Sequence, residues 1–303
     1  MFPLSTASCA VVVYNNAIIV FGGSGSTFGA TNSSSIHSLD LTTLAWTSIR
    51  VTGEPLEEGY GHSISINKRH LYIYGGCNGH HFYNTMHCIS LDTWHNKSYF
   101  RGHGGGKYRH ESVQYKDNVY IIGGGTSTAV DDMAILPYFN TATNKWHEVE
   151  CSKPVPLGRI AHSCTLIGHR VYITGGHYTA SIEGIATQKK ALSDVWMLDL
   201  EELVWCKLAA ELPHGLFFHS ACGTAQGEVF IFGGSTYVLD SNNEAINSRV
   251  NTLYKLSVGV VSLVELAWSV VSKGYSCELE GLASAKEGLA SAGVPPFLLE
   301  RLH

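Results

Sequence analysis

Val119-Tyr120-Ile121-Ile122-Gly123-Gly124 is a short apolar strand that ends on two glycines. The pattern recurs as Ile18-Ile19-Val20-Phe21-Gly22-Gly23, Leu71-Tyr72-Ile73-Tyr74-Gly75-Gly76, Val171-Tyr172-Ile173-Thr174-Gly175-Gly176 and Val229-Phe230-Ile231-Phe232-Gly233-Gly234. The five copies are separated by 53, 48, 52 and 58 residues. A histidine with a small or polar successor precedes Gly-Gly by 13 or 14 residues in four of them: His62-Ser63, His110-Glu111, His162-Ser163 and His219-Ser220. Downstream, an aspartate or asparagine stands six residues before a tryptophan: Asp40 and Trp46, Asn140 and Trp146, Asp199 and Trp205. The second copy keeps Asp92 but has Ser98 at the expected tryptophan position. Glycine lets the backbone turn where a Cβ would clash, and tryptophan supplies area to wedge one repeat against the next.

The bulk composition agrees with many tight turns between aromatic-rich strands. The 303 residues include 32 glycines and 15 tyrosines, and 45% are hydrophobic against 15% charged. A net charge of −5 argues against nucleic acid, which needs a basic stripe to displace counterions. The longest apolar runs fall short of the ~20 residues of a membrane helix, and no basic region leads into an apolar run at the N-terminus. Eight scattered cysteines without a Cys-x-x-Cys pair read mostly as small buried thiols in a reducing compartment.

Several marks at one register and a period near ~50 residues identify the chain as a member of the kelch-repeat family. The expected fold is all-β, a kelch-type β-propeller over 1–257 with five recognisable blades. Kelch rings usually close with six or seven, so a sixth blade is expected to be missing at the N-terminus. An unclosed ring would expose an apolar blade face and open strand edges.

Residues 258–303 form a separate segment that reads as helical, over Val261 to Val271 and Cys277 to Leu302, with a break at Val294-Pro295-Pro296. By composition it is a helical plug on the last blade. By spacing, Ser262, Leu263, Ala267 and Val271 resemble an elongin-binding box, an amphipathic helix that inserts Leu263 and Leu266 into a partner's groove. Ala267 stands where the box usually has cysteine. Val294-Pro295 loosely resembles a cullin-2 box.

Together with Lys107-Tyr108-Arg109-His110-Glu111, Tyr120 to Ser127, Ser262 to Trp268 and Leu299-Glu300-Arg301-Leu302, these features resemble kelch-repeat substrate receptors of cullin-2 ubiquitin ligases. The resemblance implies a cytoplasmic or nuclear protein that partners elongin B/C and cullin-2. It also implies recognition of substrate C-terminal tails, alanine-rich or glycine-ending, in the propeller's central pocket. A free carboxylate needs permanently charged bidentate donors. Arg159, with Ser163 nearby, is expected to bind it and Arg109 to assist, while Tyr60, Tyr108, Phe217 and Phe218 wall the pocket. Either arginine could instead pair with Glu111 or another loop acid. His62, His110, His162 and His219 read as hydrogen-bonded channel residues rather than ligands. The alternative function is a kelch scaffold in signalling, regulating a phosphatase or kinase without ubiquitination.

No enzyme motif survives inspection. Gly102-His103-Gly104-Gly105-Gly106-Lys107-Tyr108 lacks the first glycine and the final Ser/Thr of a phosphate loop, and no Gly-x-Ser-x-Gly elbow occurs. His80, His81 and His87 have no neighbouring carboxylate in sequence, so no metal or other cofactor is expected.

Overall fold

The computed structural model describes residues 6–102, 104–182, 185–239 and 245–259; the side chains of 180–189, 239 and 245 are not described. The chain divides into two units, Met1–Ala225 with Val229–Leu256, and Gln226–Glu228 with Ser257–His303. The first unit holds a five-blade β-propeller arrangement, and the described residues contain no helix. Ser262, Leu263, Leu266, Ala267 and Val271 lie outside the described residues, as does nearly all of the segment expected to be helical.

Each of the first four blades has four antiparallel strands in chain order, and in blade 2 Thr52–Gly53 adds a fifth, parallel to the outer strand His95–Phe100. Blade 3 shows the plan: Glu111–Tyr115, Asn118–Ile122, Ile135–Asn140 and Lys145–Glu150. Blade 5 is described with three strands, Ser220–Gly223, Glu228–Phe232 and Leu253–Ser257. In blades 4 and 5 the loop after Gly-Gly is enlarged into a β-ribbon, His177–Ile182 with Ile185–Ala191 and Ser235–Leu239 with Ala245–Arg249.

The repeat marks have identifiable work. The aspartate or asparagine closes the turn between strands three and four: Oδ1 of Asp40, Asn140 and Asp199 accepts two backbone N–H bonds in each blade. The tryptophan reaches back to the preceding blade, where Trp205 Nε1 donates to the Met133 carbonyl at 3.1 Å. Apolar cores therefore lie between blades, with Ile122 and Leu136 meeting Val171, Leu198 and Trp205.

Blade 2 departs from the sequence reading by two residues. Ser90 lies opposite His70, as Asp40 lies opposite Ala17, so Ser90 occupies the turn position and Asp92 instead pairs with Arg69. Asn96 lies opposite Ile89 as Trp46 lies opposite Leu39. Asn96, not Ser98, therefore takes the tryptophan position. It is fully buried, donating through Nδ2 to the Glu54 carbonyl at 2.9 Å and lying 3.0 Å from His87 Nδ1.

Other expectations are corrected by burial and partners. Cys206 and Cys222 are exposed, although Cys77 and Cys151 are buried. His87 is buried against Glu57, 2.7 Å from its carboxylate, and does not join His80 and His81. Among the described residues no group of three His, Cys, Asp or Glu could hold a metal ion.

Candidate functional site

The inner strands meet at a hub built on an unusual backbone state. Ser8, Gly61, Arg109, Ala161 and Phe218 occupy equivalent places in blades 1 to 5, and all have positive φ, from 53° to 69°. The N–H of each donates to the carbonyl of the one before: Gly61 to Ser8 (3.0 Å), Arg109 to Gly61 (2.8 Å), Ala161 to Arg109 (2.9 Å) and Phe218 to Ala161 (2.9 Å). Left-handed backbone is costly for arginine and phenylalanine, so both are held there by the surrounding bonds. Among the described residues no such bond joins Ser8 to Phe218. Phe232 is 55% exposed, whereas Phe21, Tyr74 and Ile122, its counterparts before Gly-Gly, are 0%, 1% and 0% exposed. In those three blades the histidine of the next blade covers that residue or its glycine, and blade 5 has no such cover among the described residues.

That packing fixes the role of the histidines. His62 meets the edge of Phe21 at 4.9 Å and His110 that of Tyr74 at 5.2 Å. His162 lies against Gly123, and His219 Nε2 lies 2.9 Å from Thr174 Oγ1 and 3.0 Å from Ser163 Oγ. Burial drives the His62 and His162 imidazoles down to about 3 and His219 to about 4, and holds His110 well below its usual range. They are neutral packing groups in the seams between blades. Ser163, 5% exposed and bonded to His219 and Thr174, is one of them.

Arg159 is placed differently from the sequence expectation. Its side chain is fully buried, with Nη1 2.8 Å from Asp194 Oδ1 and 2.8 Å from the Gly175 carbonyl. Nη2 lies 3.1 Å from Asp194 Oδ2, and Nε donates to the Leu157 carbonyl at 3.0 Å. Four of its five N–H donors are engaged within its own blade and its side chain is fully buried, so the fork is spent on structure rather than turned toward a ligand. The partner is Asp194; Glu111 pairs with neither arginine, and burial pushes its carboxyl up to about 8.

Arg109 is the arginine left open at the hub. Its guanidinium carbon lies 4.7 Å from the Tyr108 ring centre and 4.4 Å from the Phe218 ring centre, held between two π faces. Its Nε is buried without a hydrogen-bond partner, and no acid among the described residues lies within ion-pair distance. Rings continue on both sides. Tyr60 is 6.2 Å from Tyr108 and 4.6 Å from Phe28, while Phe217 is 5.3 Å from Phe218 and 5.2 Å from Tyr237. The bases of the two ribbons are joined where His177 Nε2 lies 2.8 Å from Tyr237 Oη. Burial, with the neighbouring Cys77, pushes the Tyr60 phenol up to about 12, so it stays a hydrogen-bond donor.

Of the residues expected at the site, the structure gathers Arg109, Tyr108, Tyr60, Phe217 and Phe218; it sends Ser163, His110, His162 and His219 into the blade seams and Arg159 into contacts within blade 4. Phe28, His177, Tyr237 and Phe82, whose ring centre is 5.2 Å from that of Tyr108, carry no mark in the sequence reading. They stand on loops after Gly-Gly, outside every repeat mark, and only the ring geometry reveals them.

An aromatic hub built on five antiparallel blades, each carrying the strand–Gly-Gly repeat, defines a kelch-repeat β-propeller. The chain belongs to that family: residues 2–176 and 109–280 match the KLHDC2/KLHL20/DRC7 Kelch-repeats domain. It is similar to Kelch domain-containing protein 10 of cattle and of human, each 31% identical over 312 residues that cover 99% of this chain. The chain spans 66% of the length of those two relatives, and 71% of the rat protein of the same name, at 30% identity. Among solved structures YjhT shares the fold, with a TM-score of 0.66 and 15% identity over 84% of this chain and 82% of its own. Kelch repeats and these relatives support a protein-interaction role and point to a scaffold rather than an enzyme.

Proposed function

We propose that this chain is the substrate-recognition part of a cullin-2–elongin B/C ubiquitin ligase, and that its hub holds the free C-terminus of a substrate. The observation that carries the reading is Arg109, a permanently charged fork stacked between Tyr108 and Phe218 with no acid within ion-pair distance among the described residues. Stacking occupies the guanidinium faces and leaves its edge for a carboxylate, the geometry of bidentate recognition. Tyr60 adds a protonated hydroxyl beside it. The receptor carries out no chemistry in this account; it raises the local concentration of substrate near a ubiquitin-charged enzyme.

Docking to elongin B/C and cullin-2 rests on the resemblance of Ser262-Leu263-x-x-x-Ala267-x-x-x-Val271 to the elongin box. Co-purification tests it. Elongin B/C should accompany the parent chain and be lost from Leu263→Ala, while both forms melt alike. An absence of elongin from the parent complex removes the ligase assignment and leaves a protein-binding propeller. The tail-binding claim is tested separately, by exchanging the free acid of a peptide for its amide.

A further inference from the structure

A second polar site lies at the opposite end of the strands from Gly-Gly, between blades 2 and 3. It is a cleft of about 370 Å³. Its origin can be read by comparing the blades. The first residue of each turn between strands three and four donates its N–H to the preceding hairpin: Leu41 to Asn16, Leu91 to Arg69, Thr141 to Asp117 and Leu200 to His169. Three residues later each turn has a left-handed residue, Leu44, Trp94, Asn144 or Leu203, with φ between 52° and 56°. Blades 1, 2 and 4 thus carry two large apolar side chains there. Leu91 and Trp94 fill the seam between blades 1 and 2, and Leu200 and Leu203 that between blades 3 and 4. Blade 3 has Thr141 and Asn144, and the seam they should fill stays open.

The facing wall is polar too. Asn67 stands where blades 1 and 3 have Tyr14 and Tyr115, and donates through Nδ2 at 2.8 Å to Thr141 Oγ1, which itself donates to the Asp117 carbonyl at 3.0 Å. Tyr72, Tyr99 and Cys88 complete the floor. Burial raises the Tyr72 phenol and the Cys88 thiol above their ordinary values, so both keep their protons. Lys68, Lys97, His70 and His95 stand around the mouth, and no aspartate or glutamate lines the cleft. Lys68 Nζ is 3.0 Å from Asp117 Oδ1, an exposed pair that a stronger anion can displace. Lys97 has no ion pair among the described residues. In a chain of net charge −5, a cleft of ammonium, amide and hydroxyl donors without a carboxylate is a local exception.

We propose that this cleft binds a phosphate monoester group. Three strongly accepting oxygens match the ammonium groups of Lys68 and Lys97 from blade 2 and the amide of Asn144 from blade 3, and the volume leaves room for the carrier of the phosphate. It is a site separate from the hub and does not depend on how the hub is read.

Titration of the full chain with O-phosphoserine, inorganic phosphate, and a serine peptide with and without phosphorylation tests it. Phosphoserine should bind saturably. Lys97→Ala should weaken binding about tenfold. The double variant Thr141→Leu/Asn144→Leu, which restores the plug of the other blades, should abolish binding with a melting temperature no lower than the parent's. Inorganic phosphate binding as well as the phosphopeptide would identify a free anion as the ligand; binding of the phosphopeptide alone would identify a modified protein side chain. Equal binding of phosphorylated and unmodified peptide overturns the proposal. So does phosphoserine affinity unchanged in both variants.

Discussion

Arg109 of blade 3 lies 4.4 Å from the ring centre of Phe218, two blades away. The contact joins the charged group of the hub to the aromatic wall that continues into the ribbon of blade 5. Arg159, also close to a repeat histidine, instead has all three of its side-chain nitrogens bonded within blade 4. Two arginines that look alike in sequence thus separate into a recognition group and a structural one.

That separation should appear in stability. Arg159→Ala strands the partly buried Asp194 carboxylate in blade 4 and should cost about 3–5 kcal/mol. Arg109→Ala removes two cation–π contacts from a partly open site and should cost about 1–2 kcal/mol. Urea unfolding of the two variants measures the difference. Equal losses would contradict the assigned roles.

Acid should weaken the propeller in two stages. Burial holds His62 and His162 down to about 3 and His219 to about 4, against an ordinary 6.5 in the unfolded chain. Their contribution is complete above about pH 6.5 and is lost as pH falls toward those folded values. Each histidine should steepen the slope of stability against pH by up to about 1.4 kcal/mol per pH unit in that window. Denaturant midpoints between pH 7 and 4.5 should fall steadily, and His162→Gln should make the fall shallower.

The second stage belongs to Asp194. Burial alone would raise its carboxyl, but the hydrogen bonds and charge of Arg159 outweigh burial and hold it below the ordinary value. Its stabilisation is present above the unfolded carboxylate range and disappears as pH drops through the lowered folded value. Asp194→Asn should therefore be less stable than the parent at neutral pH, with the gap closing below about pH 4.

Glycine at the Gly-Gly step is required by the next residue in space. At Gly76, with φ of 93°, a Cβ would lie 2.4 Å from His62 Cδ2. Gly168 also has positive φ, 65°, but nothing within 4 Å of its Cβ position. Gly76→Ala should cost about 3 kcal/mol or more and Gly168→Ala about 1 kcal/mol, seen as thermal melts.

The repeat was legible because its marks are local. Strand, Gly-Gly, histidine and the Asp-turn all lie within a few residues of the groups they serve, so spacing alone exposes them. The hub was legible only in part. Tyr60, Tyr108 and Arg109 flank a repeat mark, but the partner of Arg159 lies 35 positions along the chain and is brought to it by the blade register. Blade 2 misled by two residues because Asp92 imitates the turn aspartate whose position Ser90 occupies. Phe28 and Tyr237 sit in loops whose lengths differ from blade to blade, where periodicity carries no information.

The central claim is that Arg109 receives a C-terminal carboxylate, and calorimetry with one peptide made as free acid and as amide addresses it directly. The parent should bind the acid at least about thirtyfold more tightly than the amide. Arg109→Ala should bring the two to within about threefold of each other while its melting curve stays cooperative. Acid and amide binding equally to the parent, or an acid preference undiminished in Arg109→Ala, would contradict the account.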